Sequence, residues 1–121
     1  MAPLGSPIAE ALAHHVSGQA AVAQTKAEVA EKEVIKATRD FDNARYLRMY
    51  RRSQWDALKE PYYTKPLLAG RLAKKYVAAK EMEQALKKIL NAKQEALEAA
   101  KQQYTRLLKA LESLAEALAD A

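Results

Sequence analysis

The chain has 121 residues and a net charge of +5, and half of its residues are hydrophobic. This length is near the common size of a single domain, and the absence of cysteine excludes disulfides and cysteine-ligated metals. No apolar run approaches the roughly 18–20 residues needed to cross a bilayer, so we expect no transmembrane segment.

Alanine accounts for 26 of the residues, which limits the core that this chain can build. An alanine side chain buries little area, and burial stabilises a fold by about 25 cal/mol per Å² of apolar surface. Two such helices side by side would therefore cover little apolar surface. We expect part of the stability to come from another chain, either a second copy or a different protein.

Residues 1–6 are predicted to form an N-terminal tail, and residues 7–60 are predicted to form a first long helix. Ser6 suits the N-cap and Pro7 the first helical position, where its missing N–H costs nothing. A serine–glycine pair at 17–18 predicts a kink, because glycine costs about 1 kcal/mol against alanine inside a helix. Small and apolar residues recur at steps of mostly three and four, which indicates one face packed against a partner helix. They are Ile8, Leu12, Val16, Ala20, Ala23, Ala27, Ala30, Val34, Ala37, Phe41 and Ala44.

Pro61 and Pro66 predict a stiff turn at residues 61–66, because proline fixes its own φ and disfavours helix at the residue before it. A second long helix is predicted over residues 67–121, and its residues follow a heptad repeat. The first row is Tyr76, Glu83, Leu90, Leu97, Tyr104, Leu111 and Leu118, and the second is Ala79, Leu86, Lys93, Ala100, Leu107, Leu114 and Ala121. A third row is Met82, Ile89, Ala96, Ala110 and Ala117.

Near-equal helix lengths and a short connection predict an all-α fold, a long antiparallel helical hairpin that resembles a coiled coil. Three apolar rows of seven suit a bundle better than a two-stranded coil, so we expect another chain to complete a bundle and cover the third row. The alternative is a single extended helix that is kinked at residues 61–66. The expected helix-packing seam comprises Val34, Phe41, Leu86, Leu90, Leu97, Tyr104, Leu107, Leu111, Leu114 and Leu118.

The segment 43–80 is strongly basic and aromatic. It carries ten basic and two acidic side chains, with the only tryptophan and five of the six tyrosines. Arginine suits carboxylates and phosphates, and aromatic rings add stacking surface, so we predict a tip that binds an anionic partner. The target would be an acidic protein surface, a nucleic-acid backbone or lipid headgroups, and the plainest alternative is a solvated face. The predicted tip comprises Arg45, Arg48, Arg51, Arg52, Trp55, Lys59, Tyr62, Tyr63, Lys65, Arg71, Lys74 and Lys75.

Arg48 is the next residue in the apolar row of the first helix, where a buried arginine without a partner is costly. One interpretation is that the seam shifts at this point toward Leu47 and Tyr50. The other is that Arg48 meets a carboxylate from another chain. Of the two, we favour the shift of the seam.

No pattern in the sequence indicates an active site, a metal site or a cofactor. His14 and His15 are adjacent, so on a helix they point about 100° apart, which favours a surface pair over a pair of metal ligands. The three glycines are scattered and do not form a phosphate-binding loop. We expect a non-enzyme with no cofactor and no metal.

The tripeptide Met49-Tyr50-Arg51 resembles the Leu-Tyr-Arg signature of a family of small basic helical proteins that serve as accessory subunits and assembly factors in mitochondria. Met49 departs from that signature, and the match lies mid-chain rather than near the N-terminus. The resemblance implies an organellar complex as one setting for this chain. The N-terminal residues lack the features of a secretory signal or an ordinary transit peptide, so the cytoplasm is the default compartment.

Together these observations predict a non-catalytic structural or adaptor subunit of a larger protein assembly, which docks through its helical arms and its basic tip. Its partner would be another protein or a second copy. One alternative is a nucleic-acid-binding or ribosome-associated helical protein that uses the tip on phosphates. Others are an accessory subunit of an organellar membrane complex and a protein that contacts membranes peripherally through Trp55, Tyr62 and Tyr63.

Overall fold

The computed structural model describes residues 6–58 and 66–120, and all of them except Ala57 and Leu58 lie in two α-helices. Helix α1 spans Ser6–Asp56 and helix α2 spans Pro66–Asp120. The two helices pack against each other as a hairpin, which confirms the predicted all-α fold. The alternative of a single extended helix is wrong.

Helix α1 is continuous through Gly18, the site of the predicted kink. A Cβ atom at this position would meet no atom within 4 Å, so no close packing requires a glycine here. At its other end α1 stops at Asp56, short of the predicted end at residue 60. The N–H of Leu58 donates to the carbonyl of Trp55 at 3.1 Å. This bond spans three residues rather than four, so the chain tightens as it leaves the α-helix.

Helix α2 begins at Pro66, one residue before the predicted start. Proline suits a first helical position because its φ is already helical and its missing N–H has no partner there. Residues 61–65 of the predicted turn at 61–66 lie outside the described residues, whereas Pro66 belongs to α2. Four predicted residues of the tip also lie outside them. These four are Lys59, Tyr62, Tyr63 and Lys65.

The packing divides into two compact units, and each unit contains a part of α1 and a part of α2. The first unit comprises the described residues of Met1–Lys32 and Gln94–Ala121. Here α1 contributes small side chains and α2 mostly large ones, so alanine opposite leucine allows the two helices to approach closely. The partly or fully buried positions are Ala9, Ala13, Val16, Ala20, Ala23, Ala27 and Ala30 on α1, and Leu97, Ala100, Tyr104, Leu107, Leu111, Leu114 and Leu118 on α2.

The start of the packing row on α1 differs from the prediction. Ile8 and Leu12 are exposed, whereas Ala9 and Ala13 are partly buried. Steps of three and four residues backward from Ala20 lead to Ala13 and Ala9, so the helical phase is kept throughout the first unit. The sequence prediction chose the larger side chains of Ile8 and Leu12. In the structure, the smaller Ala9 and Ala13 occupy the packing positions.

The second unit comprises Glu33–Lys93, in which the described residues belong to the C-terminal part of α1 and the N-terminal part of α2. Four residues of the expected seam, Val34, Phe41, Leu86 and Leu90, are at least partly buried in this unit. The core positions here are mostly alanine. The buried side chains are Ala37, Ala44, Ala69, Ala79 and Leu90.

Neither helix, over the parts that the structure describes, contains a segment that is long and apolar enough to cross a membrane.

Candidate docking surface

The predicted tip residues of α1 do not share one face. Arg45 and Arg52 are exposed, whereas Arg48 and Trp55 are partly buried. Residues seven apart lie on the same side of a helix, so Arg45 and Arg52 form one row and Arg48 and Trp55 form another. The row of Arg48 and Trp55 belongs to the packing seam, and the row of Arg45 and Arg52 is exposed.

Arg48 stays in the seam, because the guanidinium donates to the carboxylate of Glu83 on α2. This hydrogen bond raises the pKa of the Arg48 guanidinium above its ordinary value, although partial burial acts in the opposite direction. The predicted shift of the seam is therefore wrong, and Leu47 and Tyr50 are exposed. The carboxylate that compensates Arg48 comes from the other helix of the same chain, so this arginine is not available to a partner.

Arg52 is held in place by two neighbours. Its Nε atom lies 3.2 Å from Oδ1 of Asp56, one turn further along α1. The guanidinium carbon also lies 5.5 Å from the centre of the Tyr76 ring on α2, a cation–π distance. Tyr76 through a hydrogen bond, and then the Asp56 carboxylate, raise the pKa of the Arg52 guanidinium. Arg52 is thus an oriented cation at the surface.

Arg51 takes part in a local network on α1. Its Nη1 atom donates to Oε1 of Gln54 at 2.8 Å, and Nε2 of Gln54 donates to the Tyr50 hydroxyl at 3.2 Å. The guanidinium carbon of Arg51 lies 5.6 Å from the centre of the Tyr50 ring. The donors of Arg51 are therefore partly occupied by side chains of its own helix.

A groove of about 320 Å³ lies beside Arg45 and is lined by Asp42, Arg45, Tyr46 and Met49. These positions follow the spacing i, i+3, i+4 and i+7, so they form one patch of α1. The tyrosine is 73% exposed, and the methionine is exposed beside it. We call Arg45, Tyr46, Met49 and Arg52 the docking surface.

The basic residues at the start of α2 form a separate group. Arg71, Lys74 and Lys75 are all exposed, and their spacing of three and four residues places them on one side of α2. Tyr76, the residue of α2 that Arg52 contacts, is partly buried in the seam and not in this group. The exposed basic residues of the predicted tip therefore form two groups in the described part of the chain, one on each helix.

The first unit has a groove of its own, with a volume of about 560 Å³. Both histidines lie along it, together with Gly18, whose lack of a side chain widens it. No three His, Asp or Glu side chains within residues 6–58 and 66–120 are grouped as a metal site requires. The lining residues are His14, His15, Gly18, Gln19, Val22, Ala23, Lys26, Ala100, Gln103 and Leu107.

No family model matches this chain, and no curated protein or solved structure matches it. The resemblance of Met49-Tyr50-Arg51 to a mitochondrial family therefore stays a prediction.

Proposed function

We propose that this chain is a non-catalytic structural or adaptor subunit, which binds an acidic protein through the docking surface. The observation that carries the proposal is the exposure of Arg45, Tyr46 and Met49 side by side around one groove. Arginine, tyrosine and methionine are enriched at protein interfaces, and tyrosine and arginine dominate their binding energy. Arg52, already oriented by Asp56 and Tyr76, loses little freedom when a carboxylate binds it.

The acidic side chains in this region favour a protein partner over nucleic acid. Asp42 lines the groove with Arg45, and Asp56 pairs with Arg52. Each carboxylate would repel a phosphate that approached its neighbouring arginine, whereas a protein surface can offer both signs of charge. A mixed patch of this kind is typical of a protein interface.

The small core supports the role of a subunit. Among the described residues, seven hydrophobic side chains are buried, and six of them are alanine. Several large apolar residues are exposed at the same time, including Val22, Ile35, Val77 and Leu108. A partner that covered such side chains would stabilise the folded chain by mass action. An assembly would therefore supply stability that this chain builds only weakly by itself.

Charge reversal on the docking surface tests this proposal in cells of the native source. The full chain with a tag is cross-linked and captured as the natural sequence, as the double variant Arg45→Glu/Arg52→Glu, and as the control Lys101→Glu/Lys109→Glu. The control makes the same charge change on exposed residues elsewhere on α2. We expect an acidic protein that is captured with the natural chain and the control, and lost with the docking-surface variant. Equal capture by all three would contradict the proposal.

Nucleic-acid binding is the second candidate, because segment 43–80 has a net charge of +8 and Arg71, Lys74 and Lys75 are exposed. If this group binds phosphates, the logarithm of the binding constant should fall linearly with the logarithm of the salt concentration. Each contacting cation that is replaced should make this slope shallower by about one. The variant Arg71→Ala/Lys74→Ala/Lys75→Ala tests this with a fluorescent RNA and a DNA of mixed sequence. An unchanged slope and affinity would exclude this group as a phosphate-binding site.

A further inference from the structure

Helix α2 carries a further set of apolar positions in the second unit, on a side of the helix next to the one that packs on α1. The residues Ala78, Met82, Ala85, Ile89 and Ala92 follow steps of four and three, the repeat of a helix-packing seam. All five are exposed, and the two large ones, Met82 and Ile89, remain 53% and 48% exposed. We call these five residues the second seam. A helix with two heptad seams has one more apolar face than a hairpin can cover.

We propose that the second seam packs on the second seam of another copy of this chain, with the two α2 helices antiparallel around a two-fold axis. The proposal rests on the subunit role proposed above and names one partner of that subunit. It concerns a surface of α2 that shares no residue with the docking surface on α1. Self-association and docking to an acidic protein can therefore be lost independently.

The side-chain sizes of the second seam fit this arrangement. A two-fold axis between positions 83 and 84 places Met82 opposite the partner's Ala85, and Ile89 opposite the partner's Ala78. Each large side chain then meets a small one, which is the alternation that fills an interface without voids. A parallel pair would instead place Met82 against Met82 and Ile89 against Ile89, with alanine against alanine between them.

The flanking charges favour the same arrangement. Glu81 and Lys88 lie next to the second seam, and the two-fold axis places Glu81 beside the partner's Lys88 and Lys88 beside the partner's Glu81. Two symmetric ion pairs result, and such complementarity specifies orientation in paired helices. In a parallel pair, Lys88 would lie near the partner's Lys93, where like charges repel.

Neither of these charges is used by its neighbours along α2. The positions three and four residues from Glu81 and from Lys88 are uncharged, so no i,i+4 ion pair along the helix competes. Those neighbours are Val77, Ala78, Gln84 and Ala85 for the glutamate, and Gln84, Ala85, Asn91 and Ala92 for the lysine.

The first experiment measures self-association of the purified full chain by sedimentation equilibrium. We expect a reversible dimer, and we expect Ile89→Glu to raise its Kd by about tenfold or more, because the substitution places a charge in the interface. Val77→Glu is the matched control, since Val77 is half exposed on the same helix but lies outside the second seam. A monomer at all concentrations, or an equal effect of both variants, would overturn the proposal.

The second experiment tests the register by exchanging the flanking charges. Glu81→Lys and Lys88→Glu should each weaken the dimer, because each brings two like charges together at both symmetric positions. The double variant Glu81→Lys/Lys88→Glu restores opposite charges and should return the Kd to within about threefold of the natural chain. Loss of self-association in the double variant as well would rule out this pairing.

The third experiment tests the orientation by disulfide cross-linking. The chain has no cysteine of its own, so only the introduced cysteines can react. Ala78→Cys and Ile89→Cys are prepared separately, then mixed and oxidised. The antiparallel pair brings position 78 of one copy to position 89 of the other, so the mixture should form a disulfide-linked dimer. Two copies of position 78 would be about 16 Å apart along the helix at 1.5 Å per residue, too far for a disulfide. Equal cross-linking of each variant alone would indicate a parallel pair and refute the proposal.

The docking-surface variant Arg45→Glu/Arg52→Glu separates the two proposals. It should form the same dimer as the natural chain while it loses the acidic partner. If Ile89→Glu still captured the acidic partner but the natural chain did not dimerise, only the dimer proposal would fail. If the dimer formed and charge reversal left capture unchanged, only the docking proposal would fail.

Discussion

Arg48 on α1 and Glu83 on α2 form an ion pair inside the packing seam of the second unit, with side chains that are 28% and 19% exposed. A second pair, Glu33 with Lys93, joins the same helices at 3.1 Å but is more exposed. Both pairs lie within one compact unit and link residues far apart in sequence. Charged residues at seam positions can specify which residues of two helices face each other. We infer that Arg48 and Glu83 help to set the register of α1 against α2.

Charge reversal should show that Arg48 and Glu83 act as a pair. Arg48→Glu and Glu83→Arg should each lower the midpoint of urea unfolding, because each leaves two like charges in a partly shielded seam. The double variant restores opposite charges and should recover most of the loss. Circular dichroism at one fixed protein concentration measures this, since self-association would shift the midpoint. Arg39→Glu, on the exposed side of α1, serves as the control, and a double variant no better than the single ones would contradict the pairing.

Enlarging a seam alanine should destabilise the hairpin. Ala44 is 4% exposed at the contact with α2, and leucine at this position would push the helices apart. Overpacking of this kind typically costs about 1–3 kcal/mol. Ala21→Leu, at an exposed position of the same helix, should change stability by less than about 0.5 kcal/mol in the same urea titration. Equal effects of the two substitutions would show that Ala44 is not a packing position.

Truncating Leu90, a buried residue of α2, should destabilise the protein by leaving a cavity. Leu90 is 9% exposed, and replacing a buried leucine with alanine usually costs about 2–5 kcal/mol. We expect Leu90→Ala to fall in the lower half of this range, because the other buried side chains of this unit are alanine and so small a core can partly collapse. Leu108→Ala, which truncates an exposed leucine of the same helix, is the matched control and should cost clearly less in thermal and urea unfolding. A Leu90 variant as stable as the control would contradict the assigned core.

Gly18→Ala should stabilise the protein. The position lies inside continuous helix and has space for a Cβ atom. Alanine restricts the unfolded chain and favours helix, which is worth about 0.5–1 kcal/mol. Gly70→Ala, with equal space near the start of α2, should gain less because the first turns of a helix fray. A loss of stability at residue 18 would instead indicate the kink that the sequence predicts.

The heptad rows of α2 predicted which of its residues pack against α1. The heptad spacing places Tyr76, Ala79, Glu83 and Leu86 in the first two rows of α2, and all four are partly or fully buried. The assignment succeeded because a heptad repeat fixes which residues share a side of a helix. The same reasoning failed for Ile8 and Leu12, where large side chains next to the true row drew the prediction off its phase.

The candidate site was predictable in composition but not in arrangement. Arginine, tyrosine and tryptophan in one segment indicated a binding region, yet their grouping depends on contacts between the helices. Arg48 is committed to Glu83, and Arg52 is oriented by Tyr76, both on α2. Neither pairing can be predicted from the spacing of residues within one helix, because the two partners lie on different helices.

From the amino-acid order alone follow the two helices, the packing side of each helix over most of its length, and the concentration of positive charge in segment 43–80. Those properties arise within one helix, where 3.6 residues per turn relate neighbours at fixed steps. Which cation is neutralised and which remains exposed was decided only by the tertiary structure. That choice depends on the register between α1 and α2, because an ion pair forms only where two side chains from different helices come within a few ångströms of each other.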